Sequence, residues 1–197
     1  MNRNTTAIAK EKLRRRILKL RDHQTVADIE RKSLKIVDSV RTLPEYHSAK
    51  AIACYVNKGS EVQTQPLIQK SLALGKRVLV PVVERGSREL LFSEITNLSE
   101  LIPSHFGIHE PDPALTRPRP LSTAQLVFVP GIAWDNEGYR LGWGRGYFDT
   151  ALRQMPDNST SIGLSFELQL LDRLPREQFD LPVDLLVTES RMVHCHD

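Results

Sequence analysis

"QLVFVPGIAWDNEGYRLGWGRGYFDTALRQM", residues 125–155, holds a strand, a turn, a glycine-rich loop and the start of a helix in direct succession. Residues 125–132 are almost all apolar, the pattern of a strand buried on both faces as in a parallel sheet. "NEG" is a turn signal, the glycines at 142, 144 and 146 fall at every second position, and "YFDTALRQM" begins a helix. A strand feeding a loop and then a helix is the repeating unit of an α/β sheet, in which ligands bind beyond the carboxyl ends of the strands.

Further strand-like runs lie on either side: "AIACYV" at 51–56, "RVLVPVV" at 77–83, "ELLFSEI" at 89–95, "TSIGLSF" at 160–166 and "VDLLVTE" at 183–189. Helical spacing relates Leu13, Ile17 and Leu20, then Val26, Ile29, Ser33, Val37 and Val40, then Leu67, Ile68, Leu72 and Leu74 before a Gly75 stop. The alternation predicts an α/β fold with a largely parallel sheet covered on both faces. The proline-rich stretch at 108–122 is expected as a surface connection, because strand-like sequence resumes after it. A chain of 197 residues fits a single domain spanning 1–197.

The formal net charge is +3, but residues 1–35 hold eleven Lys or Arg against four Asp or Glu, about +7, and the remainder is slightly acidic. The N-terminal end therefore reads either as a visitor site for an anion or as a solvated basic helix. With no apolar run of membrane length and no leader pattern at the N-terminus, a cytoplasmic protein is expected. Cys54 and Cys195 are far apart and belong to no paired spacing, so both are expected as reduced thiols without a chemical role.

Glycines in "RLGWGRG" permit positive φ and let several backbone N–H groups face one oxyanion, with a helix start near Tyr147 and the cations Arg140 and Arg145 beside them. The loop has neither the lysine and hydroxyl ending of a P-loop nor the GxGxxG spacing, and a tight turn without ligand also uses glycines. Asp149 reads as a metal ligand or as a first-turn acid that favours the helix dipole. Lys10 and Arg14, four residues apart, share a helix face and repel; a bound anion would relieve that, whereas Glu11 can pair with Arg15. Glu61 reads as a ligand-binding carboxylate or as a helix-start acid inside a Ser60 to Gln63 capping box.

These pieces resemble the 5-formyltetrahydrofolate cyclo-ligase family, also called 5,10-methenyltetrahydrofolate synthetase, along most of the chain. The resemblance is carried by "AKEKLRRR", "YVNKGSEVQTQPLI", "GKRVLVPVV", "FGIHEP", "FVPGIAWDNEGYRLGWGRGYFD" and "LPREQFDLPVDLLVTE". Trp143 stands where the family often has arginine, and Phe148 replaces the second tyrosine of the usual pair. The resemblance implies a three-layer α/β/α fold and ATP-dependent closure of 5-formyltetrahydrofolate to 5,10-methenyltetrahydrofolate, with ADP and phosphate released. It implies that Lys10, Arg14, Arg140, Leu141, Gly142, Trp143, Gly144, Arg145, Gly146, Tyr147, Phe148 and Asp149 surround ATP. Arg140, Arg145 and Tyr147 are implied as catalytic. Mg²⁺ is implied on Asp149 and Asp180, with Asp184 as the alternative second carboxylate. Glu61, Phe106 and Tyr147 are implied at the folate, and Val82 with Val83 as an apolar wall.

A monomer acting on small molecules, without nucleic acid or membrane partners, is the corresponding expectation. Competing readings are a nucleotide-binding paralogue without cyclo-ligase activity, a protein using the basic helix on nucleic-acid phosphates, and a metal site in the C-terminal "HCHD".

Overall fold

The computed structural model describes residues 3–83, 90–104 and 107–195. In chain order it contains α1 (Arg3–Asp22), α2 (Val26–Val40), α3 (Pro44–Ser48), β1 (Ala51–Cys54), α4 (Gln65–Ala73), β2 (Arg77–Val83), β3 (Leu90–Ile95), β4 (Leu101–Pro103) and β5 (His109–Pro111). There follow β6 (Leu126–Val129), β7 (Ala133–Asp135), β8 (Arg140–Leu141), α5 (Tyr147–Leu152), β9 (Thr160–Leu164), β10 (Leu170–Leu171), β11 (Leu185–Val187) and β12 (Met192–His194).

The main sheet runs β12-β11-β9-β6-β1-β2-β3, parallel from β11 to β2 and antiparallel at its two edges. The expected α/β class with a mostly parallel sheet is what the structure has. Strand side chains alternate between two cores. Ile52, Cys54, Val78, Val80, Leu126, Phe128, Leu185 and Val187 pack with α2, α3 and α4 on one face. Ala53, Leu79, Val127, Val129 and Leu186 pack on the other with Ala151 of α5 and Trp134 of β7. The central strands β1, β6 and β11 are apolar on both sides because both sides are covered, so these runs carry no polar alternation.

Helix α1 does something different. Leu13, Ile17 and Leu18 pack on Ile132, Ala133, Leu141 and Leu174, that is, on the small sheet β10-β7-β8 and not on the main one. Leu20 and Val26, expected on buried faces, are exposed, as is Leu74. Gly75, at φ 71°, provides the expected stop after α4. The 108–122 connection carries the short strand β5, paired with β4, and rests against the β3 edge through Ser93 and Pro118.

Trp134 is fully buried, and a Cβ added at Gly131 or at Gly163 of β9 would lie 2.5 or 2.6 Å from its ring. Both glycines are therefore steric requirements of one indole. Among the described residues no helix is long and apolar enough to cross a membrane.

Candidate active site

From β1 the chain turns through α4 to β2 on one side, whereas β6 leads to β9 and β11 on the other. The carboxyl ends of β1 and β6 thus diverge at a topological switch point, where α/β sheets bind ligands. A cleft of about 700 Å³ opens there, with Tyr55 and Val56 following β1 and Pro130 and Gly131 following β6 in its wall. Lys10 and Arg14, the whole 140–149 stretch, Glu61 and Asp180 line the same cleft.

The glycine loop connects β8 to α5. Gly144 (φ 88°) and Gly146 (φ 72°) occupy the left-handed region, Gly146 as the N-cap of α5. Gly142 is not at positive φ, so two of the three glycines are needed for backbone shape. Helix α5 has only six residues, so the loop amides and nearby cations, more than a helix dipole, must supply any positive field.

Lys10, Arg14 and Arg140 are each held by partners from the chain itself. Lys10 Nζ donates to Asp180 Oδ2 at 2.7 Å and to Glu177 Oε2 at 3.0 Å. Burial opposes the charge of Lys10, but these carboxylates outweigh it and raise its pKa. Arg14 donates through Nε to Gly142 O at 3.0 Å and through Nη1 to Glu11 at 2.5 Å, tying α1 to the glycine loop. Glu11 also pairs with Arg15, as expected. The expected repulsion between Lys10 and Arg14 is therefore not what the fold contains: carboxylates from the chain itself neutralise both.

Arg140 is the buried member, its side chain 4% exposed, and Nη2 lies 2.8 Å from Asp149 Oδ1. Its Nη1 donates to Leu181 O at 3.0 Å. Burial depresses its pKa and the Asp149 charge counters this. Asp149 is thus the counter-ion of a buried guanidinium, a role neither the dipole nor the metal reading contained. Arg145 is exposed on the loop, and Tyr147 and Phe148 are half-buried at the start of α5.

Glu61 is buried, 7% exposed, in the turn between β1 and α4. The capping-box alternative fails, because α4 starts at Gln65 with Thr64 as N-cap, while Ser60 and Gln63 bond elsewhere, to Arg21, Asp22 and Ser33. Burial pushes the Glu61 pKa up; the Lys58 N–H at 2.9 Å, the charge of Arg21 and a hydrogen bond from Trp143 pull against that.

Asp184 sits at the amino ends of β9 and β11, accepting from Ser161 N and Oγ at 2.7 Å, and does not line the cleft. The structure removes it as the alternative second carboxylate. Val83 lines the cleft and Val82 does not. Phe106, His196 and Asp197 lie outside the described residues. Among the described residues no group of three or more His, Cys, Asp or Glu side chains forms a metal cluster, and "HCHD" lies partly outside those residues. Cys54 and Cys195 are free, as expected; burial pushes the Cys54 thiol far up and Cys195 up to about 12.

Lys58, Glu110, Glu177 and Phe179 also line the cleft and escaped the sequence reading. The nearest signal was the charge pair in "PREQFD", whose Glu177 and Asp180 together receive Lys10.

A model of the 5-formyltetrahydrofolate cyclo-ligase family matches residues 6–189, which include this entire constellation. The chain belongs to that family. The cyclo-ligase of Escherichia coli K12 is 35% identical over 153 residues, covering 77% of this chain and 84% of that one. The mouse cyclo-ligase is 29% identical over 169 residues, covering 81% and 83%. The solved structure of Aquifex aeolicus 5,10-methenyltetrahydrofolate synthetase superposes with a TM-score of 0.83 at 31% identity, covering 95% of this chain and 93% of that one. Membership makes this a ligase of folate metabolism, with 5-formyltetrahydrofolate cyclo-ligase as the enzyme supported. Of the cations on the basic helix, Lys10 and Arg14 are turned into the cleft, while Arg15, Arg16 and Lys19 are exposed.

Proposed function

We propose that the cleft closes 5-formyltetrahydrofolate to 5,10-methenyltetrahydrofolate at the expense of ATP, through phosphorylation of the formyl oxygen. A formamide is a poor electrophile. Transfer of the γ-phosphoryl group to its oxygen forms an O–P bond and breaks the bond to ADP. N10 then attacks the activated carbon and loses its proton, and the C–O bond breaks to release phosphate. Such chemistry asks the protein mainly for positioning and charge stabilisation.

One observation carries this reading: cations from α1 (Lys10, Arg14) and from β8 (Arg140) converge with a positive-φ glycine loop in the cleft that Glu61 lines. In the proposed complex Lys10, Arg14, Arg140 and Arg145 hold phosphate oxygens together with loop amides of residues 142–146. Glu61 accepts from the pterin edge, and Tyr147 and Phe106 flank the folate.

Two carboxylates in the cleft fit Mg²⁺, a cation that takes hard oxygen donors and keeps much of its water. The ion pairs use Oδ1 of Asp149 and Oδ2 of Asp180, and in the proposed complex the other oxygen of each would meet the cation. When bound, the metal would neutralise charge on the β and γ phosphates. The residues themselves exchange partners: phosphate oxygens replace carboxylates on Lys10 and Arg140 as the nucleotide binds.

The test is purified protein with 5-formyltetrahydrofolate, ATP and Mg²⁺, following near-ultraviolet absorbance of the methenyl product and the nucleotide released. Product should require both ATP and a divalent metal, and ADP should form. AMP with pyrophosphate would exclude the phosphoryl-transfer route; nucleotide binding without product would favour the inactive paralogue.

A further inference from the structure

Arg21 lies in the last turn of α1, and it is buried, 2% exposed, although it does not line the cleft. Its Nε donates to Ser60 Oγ at 2.9 Å, and Ser60 in turn donates to Asp22. Nη1 is buried with no hydrogen-bond partner among the described residues. A buried guanidinium with an unmade bond is costly unless negative charge lies close. The residue after Ser60 is Glu61, whose carboxylate is buried in the cleft wall.

We infer that Arg21 is a positioning residue for folate binding: anchored through Ser60 behind the cleft, it is the counter-charge that keeps the Glu61 carboxylate anionic and ready to accept the pterin donors. The inference rests on the proposed folate contact of Glu61. The groups facing Glu61 are Arg21 from α1, Lys58 from its own turn, Trp143 from the glycine loop and Tyr55 at the end of β1. Tyr55 donates its hydroxyl to Val62 O at 3.2 Å, and burial holds it neutral well above the usual phenol range. Arg21 and Lys58 are thus the cations acting on Glu61, and burial works against both by favouring the protonated carboxyl. A last-turn arginine also favours a helix dipole, but that role alone would affect stability and leave the pH profile still.

The experiment measures kcat/KM for 5-formyltetrahydrofolate from about pH 5 to 9, with KM for ATP alongside. In Arg21→Met the acid limb should move to higher pH and the folate KM near neutrality should rise about tenfold, with the ATP KM unchanged. Arg21→Lys, which keeps the charge but not the fork, should restore most of both. Ser60→Ala loosens the anchor with little change in packing and should move the limb the same way by less, which keeps the test open if Arg21→Met does not fold. Glu61→Gln should raise the folate KM, and adding Arg21→Met to it should change nothing more. If Glu61→Gln leaves the folate KM untouched, the folate contact fails and the inference with it. If Glu61→Gln raises KM while the limb stays in place in the Arg21 and Ser60 variants, the inference alone is overturned.

Discussion

At Asp149 a single carboxylate is asked to do several things, and their energies separate them. A first-turn acid on a helix as short as α5 contributes about 0.3–1 kcal/mol. The pair with Arg140 is worth more, because Asn in its place leaves a guanidinium only 4% exposed without a counter-charge. Asp149→Asn should therefore lower stability by about 2 kcal/mol. Turnover should also fall by orders of magnitude and recover in part as Mg²⁺ is raised, and melts with a Mg²⁺ titration measure both. Wild-type turnover at limiting Mg²⁺ would remove Asp149 from the site. Glu61 shows the opposite sign. Its raised pKa means that the charged form is disfavoured on folding, so it subtracts stability above its folded pKa and that loss is recovered as pH falls through it. Glu61→Gln should raise the folate KM by about one to two orders of magnitude, with little change in ATP KM. An unchanged folate KM would return Glu61 to a purely local bond with Lys58.

Among the elements, those buried between two layers were the most legible in the sequence. The runs at 51–56, 78–80 and 126–129 are uninterrupted apolar segments because helices or β7 cover them on both faces. The short strands β7, β8 and β10 lack any such period, since two or three residues cannot display one, and α1 misleads because it packs on these short strands with a narrow stripe that excludes Leu20. Its charges misled for a further reason: the partners of Lys10 lie 167 and 170 residues away. Lys10→Ala should consequently cost about 1 kcal/mol, not gain stability, as it strands Asp180 and Glu177 in a half-buried setting, and ATP affinity should fall well beyond folate affinity. Arg14→Ala should also weaken ATP, by detaching α1 from Gly142, while the exposed Arg16→Ala should do neither. Equal behaviour in all three would reduce α1 to a solvated basic helix. In β9, Gly163→Ala drives a methyl into Trp134 and Leu186 and should cost about 1–3 kcal/mol in a denaturant titration.

At the scale of the whole molecule the cleft is a junction of distant segments: α1, the β1 to α4 turn, the β8 to α5 loop and the 177–181 stretch. Sequence spacing cannot show such a junction, although each segment carried its own signal and the family resemblance joined them. What only the structure supplies is the charge balance. Lys10, Arg14 and Arg140 are engaged by Glu177, Asp180, Glu11 and Asp149, so the cations expected to hold phosphate and the carboxylates expected to hold metal occupy each other. ATP alone would have to displace carboxylates that then face its own negative charge, and a metal ion alone would have to displace cations. Bound together, each takes the partners the other releases. The two should therefore bind with positive coupling, and reciprocity requires the same factor in both directions. We expect a non-hydrolysable ATP analogue to bind at least about tenfold more tightly with saturating Mg²⁺ than with a chelator, about 1.4 kcal/mol of coupling. Titration calorimetry, or fluorescence of the exposed Trp143 on the glycine loop, reads this directly. In Asp149→Asn the coupling should shrink, because Arg140 is then freed without the metal's help and one oxygen ligand is lost. Equal analogue affinity with and without Mg²⁺ in the native protein would mean that the ion pairs do not open on binding, and the proposed exchange of partners would have to be given up.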